Sequence, residues 1–453
     1  MKELTLTEGK IFSKLVRFAL PVLFAMFLQH LYGAIDLWVV GQFGGTHADV
    51  SVSAVSTGSQ IMMSVTIVIT GLAMGITVFV GRMIGAGEKQ KAGKIIGSGI
   101  FIFIVIAVVL TAVMVIAAPA VARVMQAPVE AFDQTVAYIT ICCAGSVFII
   151  AYNLVGSIFR GIGDSKMPLV TVAINCALNV AGDLLFVAGL HMGAAGAAIA
   201  TVIAQAISVV LSLIIIKRRE LPFTFSLRDI RPQGPLVKEI LRLGAPIALQ
   251  DLLVSMSFLV VLSIVNGLGL TASAGVGVAE RLCGFLMLVP SAYAQSMSAF
   301  VAQNIGAEKP DRARKALWYG VASSVAVGIV LGYLTFFHGE VLSGIFAKDT
   351  AVLQAAADYL KAYAIDCVFV SFLFCFMGYF NGCGRTTFVM IQGMLGAFLV
   401  RLPIAWIVGH SANARLFYIG LSTPASTLVQ IVMCLVFFAV VQRKSRQQKQ
   451  ILK

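Results

Sequence analysis

The sequence predicts an all-α polytopic membrane protein with twelve transmembrane helices, arranged as two parallel six-helix repeats. Hydrophobic residues make up 59% of the 453 residues and charged residues only 12%, whereas soluble domains contain about 45–50% apolar and about 25% charged residues. The apolar stretches have the length of membrane helices and lack the alternating segments of about ten residues that membrane β-barrels contain. A similar pattern of six stretches occurs in each half of the chain.

Twelve apolar stretches fit a chain of this length, because one membrane helix takes about 20 residues. The first stretch follows basic residues, as a signal peptide would, but it is too long and no cleavage pattern closes it. We therefore predict that it is retained as a span. The predicted spans are 15–40, 52–80, 95–118, 134–159, 167–189, 194–216, 241–267, 275–302, 315–337, 355–380, 387–409 and 416–441.

The basic residues predict the orientation of the chain in the membrane. If the N-terminus is cytoplasmic, 27 of the 33 Lys and Arg residues fall in cytoplasmic segments, three in the opposite loops and three within or beside spans. The positive-inside rule therefore predicts a multi-pass cell-membrane protein with both termini in the cytoplasm. The net charge of +13 is explained by these loop anchors, so we expect no nucleic-acid partner. The eight cysteines lack metal spacing and indicate small buried hydrophobes.

A basic, proline-containing segment divides the chain into two lobes. We predict an N-lobe at 1–217 with helices 1–6, a cytoplasmic linker at 218–240, and a C-lobe at 241–453 with helices 7–12 and a basic tail. Each lobe has an even number of spans, so the two repeats are parallel. Two such bundles can rock against each other around a central cavity, which is typical of secondary transporters.

Three short motifs recur in the same order in the two lobes, with a slip of four residues between the first motif and the second. The segment from Phe159 lies 75 residues after the segment from Ile84, and the second-lobe pair has the same spacing. Three matches in the same order are hardly expected by chance. The motif pairs are Arg17-Phe-Ala-Leu-Pro21 with Arg242-Leu-Gly-Ala-Pro246, Ile84-Gly-Ala86 with Ile305-Gly-Ala307, and Phe159-Arg-Gly-Ile-Gly163 with Phe380-Asn-Gly-Cys-Gly384.

Polar residues inside the spans are the candidate functional residues, because a charge at the bilayer centre costs several kcal/mol. In span five, polar residues recur every four positions and so share one helix face. Similar sets occur in spans one and six, and Pro21 predicts a bend in helix 1. The candidates of the first lobe are Gln29, Tyr32, Asp36, Thr171, Asn175, Asn179, Asp183, Thr201 and Gln205.

A functional role is expected for Asp36 and Asp183, because interhelical hydrogen bonding requires no charge. Together they can exchange a proton, or bind a small hard cation with amide and hydroxyl oxygens. For Asn175 and Gln205, plain interhelical hydrogen bonding remains the alternative. In the second lobe, Arg401 either pairs internally with Asp366 or Glu280, or these residues contact the substrate or an ion. Asp251 faces either a cavity or a neighbouring helix.

These motifs resemble the multidrug and toxic compound extrusion (MATE) transporters along the whole chain. The resemblance rests on Pro21 with Asp36 and Trp38-Val-Val-Gly41, on Arg160-Gly-Ile-Gly-Asp-Ser-Lys-Met-Pro168, on Asn179 with Asp183, and on Gly193-Ala-Ala-Gly-Ala-Ala-Ile-Ala-Thr201. It implies export of organic cations or amphipathic drugs in exchange for H⁺ or Na⁺. No other cofactor, no enzymatic activity and a monomer are expected.

The resemblance also implies a cation site in the N-lobe. The family uses an aspartate of span one, an asparagine and an aspartate four apart in span five, and a threonine of span six. These correspond to Asp36, Asn179, Asp183 and Thr201, with Na⁺ as a candidate ligand. The NorM-like branch has a glutamate midway along span seven, but the aligned position here is about Val254. The pattern is therefore closer to the DinF-like branch.

Three other functions fit the sequence less well than drug export. A lipid-linked precursor or polysaccharide flippase of the same superfamily often has extra spans and a cationic cavity, which this sequence lacks. An intramembrane enzyme would need a recognisable catalytic motif such as HExxH or GxSxG, and none is present. A channel would need a filter-like loop, which is also absent.

Overall fold

The computed structural model describes residues 6–44, 48–218, 221, 223, 225–411 and 414–451. Lys2 of the N-terminal basic group and Arg219 and Pro222 of the linker lie outside the described residues. The described residues are overwhelmingly helical and contain no β-strand. This confirms the all-α prediction and agrees with the requirement that backbone groups in a bilayer are bonded within their own segment.

The first half of the chain contains seven long helices in place of six predicted spans. The additional helix arises because span four is broken at Gly145, where two helices meet at 54°. A Cβ atom on Gly145 would lie 2.4 Å from the Val202 side chain, so the glycine permits close packing against the helix that contains Val202. The helices are α1 Ile11–Phe43, α2 Ala48–Gly85, α3 Lys89–Val124, α4 Phe132–Ala144, α5 Ser146–Ile162, α6 Lys166–Asp183 and α7 Gly193–Lys217.

The second half contains more and shorter helices, although its spans also agree with the prediction. Eleven described helices are long and apolar enough to cross a membrane, and the bent pair makes twelve. The helices are α8 Gly234–Asn266, α9 Leu270–Leu286, α10 Leu288–Gly306, α11 Pro310–Phe337, α12 Gly339–Ser343, α13 Thr350–Gly382, α14 Thr386–Leu395, α15 Leu402–Gly409, α16 Leu416–Gly420 and α17 Ser422–Ile451.

Two predicted spans contain a π-helical turn. Residues Leu184–Gly189 continue α6, and residues Gly396–Arg401 join α14 to α15. A π-helical turn inserts one residue into the helical repeat and is frequent at functional sites. Both turns lie next to charged residues that the sequence singled out, Asp183 and Arg401.

By its internal contacts the chain divides into two units. Unit 1 consists of Met1–Ala248 and Ala302–Pro310, and unit 2 of Leu249–Val301 and Asp311–Lys453. In unit 1, α6 packs against α1 and α7, and α2 packs against α4 and α5. In unit 2, α13 packs against α9, α16 and α17. In its apolar, membrane-spanning part, 61% of the residues are buried, so α13 is the central helix of that unit.

The repeated motifs form the same local structure in both halves. After Phe159, the backbone amide of Asp164 donates to the Phe159 carbonyl oxygen at 2.9 Å, and Gly163 has φ +93°. After Phe380, the amide of Arg385 bonds the Phe380 carbonyl at 2.8 Å, and Gly384 has φ +65°. Both are glycine-capped helix ends with a six-to-one hydrogen bond. The second glycine of each motif is therefore needed for its left-handed backbone.

Candidate functional site

Four predicted residues from three helices of unit 1 converge at one place. Asn179 on α6 donates from Nδ2 to the hydroxyl oxygen of Thr201 on α7 at 3.3 Å. The carboxyl groups of Asp36 on α1 and Asp183 on α6 lie close enough to interact directly. The structure therefore brings the four residues together in what we call the cation site: Asp36, Asn179, Asp183 and Thr201.

Four oxygen atoms of the cation site lack hydrogen-bond donors. Asp183 is 0% exposed and Asp36 6% exposed. Asp36 Oδ1, Asn179 Oδ1 and both carboxylate oxygens of Asp183 are buried without a donor. A buried acceptor without a partner is costly, and a cation can provide that partner.

The ligand types of the site indicate which cations it can take. Carboxylate, amide and hydroxyl oxygens are the ligands of hard cations, and a carboxylate pair can also share a proton. Among the described residues, no group of three or more His, Cys, Asp or Glu side chains could hold a metal ion. The arrangement therefore fits H⁺ or Na⁺ better than a transition metal, which prefers imidazole and thiolate ligands.

Small residues let α6 and α7 approach closely beside the site. A Cβ atom on Gly182 would lie 2.9 Å from the Cβ atom of Ala200. The regular spacing of the polar residues on α6 puts them on the same face as this contact. The π-helical turn begins directly after Asp183, so the carboxylate lies where the helical repeat changes.

Two residues of α4 beside the site were missed by the sequence analysis. Tyr138 and Cys142 are buried, and both lie within electrostatic range of Asp36. The Tyr138 ring packs against Gly58, where a Cβ atom would meet the ring at 2.3 Å. In the sequence, the signal for these two residues was their spacing of four positions, which places them on one face of span four. Neither residue carries a charge, so neither differed from an ordinary buried residue.

The other candidates of the first lobe lie around the same helices. Tyr32 is within electrostatic range of Asp36, and Gln29 interacts with Tyr152. Asn175 and Gln205 are buried, and their side-chain carbonyl oxygens lack a donor. Pro21 lies inside α1, which continues as a helix through that residue, and the predicted bend stays a prediction.

The charged candidates of the second lobe form a separate cluster in unit 2. Arg401 donates from Nη1 to the Ser257 hydroxyl at 2.9 Å, and its guanidinium lies 4.0 Å from the centre of the Phe258 ring. Arg401 is within electrostatic range of Glu280 and Asp366. In the part of the chain that the structure describes, Arg401 forms no ion pair at contact distance. The three charged side chains therefore lie in one cluster. Arg401 attracts the two carboxylates electrostatically without contacting them.

Three further residues of interest in unit 2 are Tyr359, Asp251 and Val254. Tyr359 donates to Glu280 at 3.4 Å. Asp251 lies on α8 and is half-buried, outside the contacts of the Arg401 cluster. Val254, which aligns with the NorM-like glutamate, accepts a hydrogen bond at its carbonyl oxygen from Ser257 at 2.7 Å.

Comparisons with known proteins point to one family and one fold. The family model described as MatE matches residues 21–185 and 246–407, more than half of the chain. The chain is 23% identical over 447 residues to a probable multidrug resistance protein, YoeA of Bacillus subtilis, covering 97% of this chain and 96% of the relative. It is 24% identical over 409 residues to the multidrug export protein MepA of Staphylococcus saprophyticus, covering 88% of each chain.

A solved structure shares the fold. The outward-facing conformation of a multidrug resistance MATE family transporter of the MOP superfamily superposes with a TM-score of 0.90 at 21% sequence identity. The match covers 99% of both chains. The similarity therefore extends over the whole fold, with both repeats included.

Proposed function

Because the chain belongs to the MatE family of transporters, we propose that it is a secondary active exporter of organic cations or amphipathic drugs, driven by H⁺ or Na⁺. The observation that supports this most strongly is the cation site, with its two facing carboxylates and its buried oxygens without donors. Transport proceeds by alternating access of the two lobes. The protein acts as a monomer in the cell membrane with both termini in the cytoplasm.

Cation binding at this site can change the position of α1. Two unit charges about 4 Å apart repel by about 4 kcal/mol at an effective dielectric constant of about 20. With a cation bound, Asp36 and Asp183 are held together; after its release, their repulsion favours separation of α1 from α6. Pro21 lacks a backbone N–H group, so α1 bends there at the lowest cost.

Two coupling ions fit the site for different reasons. Na⁺ is supported by the number of donor-free oxygens, since one ion can bind oxygens of Asp36, Asp183, Asn179 and Thr201 together. H⁺ is supported by the direct interaction of the two carboxyl groups, since one proton shared between them removes their repulsion. Both ions use the same residues, so one set of variants tests either.

We further propose that the N-lobe alone holds the coupling ion. In the second lobe, Arg401 offsets the negative charge of Glu280 and Asp366, and an apolar residue, Val254, takes the place of the NorM-like glutamate. This departure supports the DinF-like branch, which stays a prediction. A substrate-contacting role for Asp251 is also a prediction. The relatives are drug exporters by name, and no observation favours the flippase alternative.

Dye transport in proteoliposomes tests the proposal. A fluorescent organic cation is followed while a Na⁺ gradient and a pH gradient are imposed separately. We expect one gradient to drive transport, and Asp36→Asn to abolish this without unfolding the protein. Asp133→Asn, at an exposed residue of α4, is the matched control and retains transport. Undiminished gradient-driven transport by Asp36→Asn would overturn the N-lobe mechanism.

A further inference from the structure

A line of buried polar side chains continues from the cation site between α6 and α7. We call it the α6–α7 seam. It lies in unit 1, and each of its side chains is at most 6% exposed. Its members are Thr171 and Asn175 on α6, and Gln205, Ser208 and Ser212 on α7.

The two ends of the seam are closed by different contacts. At the far end, the hydroxyl groups of Thr171 and Ser212 lie 3.0 Å apart. Ser212 also donates to the Ser208 carbonyl oxygen at 2.7 Å. At the near end, Asn179 bonds Thr201 in the cation site. The seam thus lies between two hydrogen bonds that both join α6 to α7.

The middle of the seam contains polar atoms without protein partners. Asn175 Oδ1, Gln205 Oε1 and Ser208 Oγ are buried and have none. Interhelical hydrogen bonding alone does not account for them, because such bonding satisfies the groups it uses. Buried polar atoms without a protein partner are typically bonded by ordered water, which needs two to four polar neighbours. Both helices provide such neighbours here.

Between its two ends, α7 has polar residues only in the cation site and in the seam. Apart from Lys217 at its end, the side chains that α7 exposes are apolar, and they include Ile203, Ile207, Val210 and Leu213. Polar side chains in a membrane helix face the protein interior and not the lipid. Gln205, Ser208 and Ser212 therefore interact within the lobe. The pattern therefore marks a polar interior between two otherwise apolar helices.

The seam is long enough to cross much of a membrane leaflet. Twelve residues separate Asp183 from Thr171, which is about 18 Å at a rise of about 1.5 Å per residue. Thr171 then lies about 8 Å from the start of α6, and Ser212 about 8 Å from the end of α7. Both of those helix ends carry a lysine, Lys166 and Lys217. The positive-inside rule predicts that they face the cytoplasm.

We propose that the α6–α7 seam is a hydrated path inside the N-lobe, through which the coupling cation passes between the cation site and the cytoplasm. This rests on the proposed cation-coupled function. Hydroxyl groups both donate and accept hydrogen bonds, so they can relay a proton. Amide and hydroxyl oxygens can equally replace part of the hydration shell of Na⁺. The cation then leaves by a route separate from that of the substrate.

Thiol reactivity tests whether the seam contains water. Ser208→Cys is treated with a small cationic methanethiosulfonate reagent, and each cysteine is followed by peptide-resolved mass spectrometry. The internal control is Cys434, which is buried among apolar residues of unit 2. We expect position 208 to react about ten-fold faster than Cys434 or more, because thiol modification requires access to the reagent. Equal reaction at the two positions in the folded protein would overturn the proposal.

Filling the seam tests whether the cation uses it. We expect Ser208→Leu to slow gradient-driven transport about ten-fold, because an apolar constriction excludes water and ions, while substrate–substrate exchange without a gradient is retained. Ser323→Leu, at a serine of α11 that bonds its own helix, is the matched control. An equal loss of both transport modes, or no loss, would contradict the proposal.

The outcomes separate this proposal from the proposed function. If Asp36→Asn abolishes gradient-driven transport but position 208 is unreactive, the cation site stands and the path does not. If Asp36→Asn transports normally, the proposed function itself fails. In that case reactivity at position 208 would reveal only a hydrated seam without a coupling role.

Discussion

Gly85 and Gly306 occupy the same place in the two repeats, and each packs directly against the helix end that carries the other. A Cβ atom on Gly85 would lie 2.0 Å from the carbonyl oxygen of Gln303, and one on Gly306 would lie 1.9 Å from that of Arg82. Both contacts lie within unit 1. Only glycine permits such an approach, which explains why Ile-Gly-Ala occurs at this position in both repeats.

The first prediction concerns these two glycines. Gly85→Ala and Gly306→Ala each force α2 and α10 apart, and overpacking of this kind costs about 1–3 kcal/mol. We expect a lower melting temperature in detergent and a reduced transport rate. Gly277→Ala and Gly284→Ala are the controls, because a Cβ atom meets nothing within 4 Å at either position. A melting temperature of Gly85→Ala equal to that of the natural protein would contradict the structure.

The second prediction concerns the hydroxyl group of the cation site. Thr201→Val keeps the shape of the side chain and removes one oxygen. If Na⁺ is the coupling ion, we expect the Na⁺ concentration that half-saturates thermal stabilisation to rise about ten-fold, equivalent to about 1.4 kcal/mol of binding free energy. Thr66→Val is the control, since Thr66 bonds only the Met62 carbonyl oxygen of its own helix in the described contacts. An unchanged Na⁺ dependence in Thr201→Val would exclude this hydroxyl from the site.

The third prediction concerns the charges of unit 2. Arg401→Met removes the positive charge near the half-buried Glu280 and the buried Asp366. Because Arg401 is not in contact with either carboxylate, the cost stays below the about 3–5 kcal/mol of a broken buried ion pair. We expect a marked loss of thermal stability, partly restored in the double variant Arg401→Met with Asp366→Asn. Arg385→Met, at an exposed residue, should be neutral. Full stability of Arg401→Met, with altered substrate range alone, would instead support direct substrate contact.

The spans and the repeat were predictable because they depend on local properties of the chain. Apolar length alone located each span, and the turn motifs after Phe159 and Phe380 require their glycines locally. The break at Gly145 was not predictable, because it depends on packing against Val202, more than fifty residues away. The apolar pattern continues through the break without a change.

The cation site was predictable to the extent that it follows the regular helical repeat. Asn179 and Asp183 share a face of α6 because they are four residues apart, and the structure brings them together with Asp36 and Thr201. Arg401 was harder to place, because it ends a π-helical turn that begins at Gly396. Such a turn shifts the side chains at its end relative to the regular repeat. The residues that Arg401 contacts therefore could not be predicted from the helical spacing of the sequence.

The fourth prediction concerns orientation, which depends on the distribution of charge in the loops. Lys348 lies in a loop predicted outside, and Arg228 lies in the basic linker; both are exposed. We expect a membrane-impermeant maleimide to label Lys348→Cys in intact cells, and Arg228→Cys only after permeabilisation. The natural protein gives the background labelling of its eight cysteines. The reverse labelling pattern would invert the topology and place the basic loops outside, against the positive-inside rule. It would also make the α6–α7 seam open away from the cytoplasm.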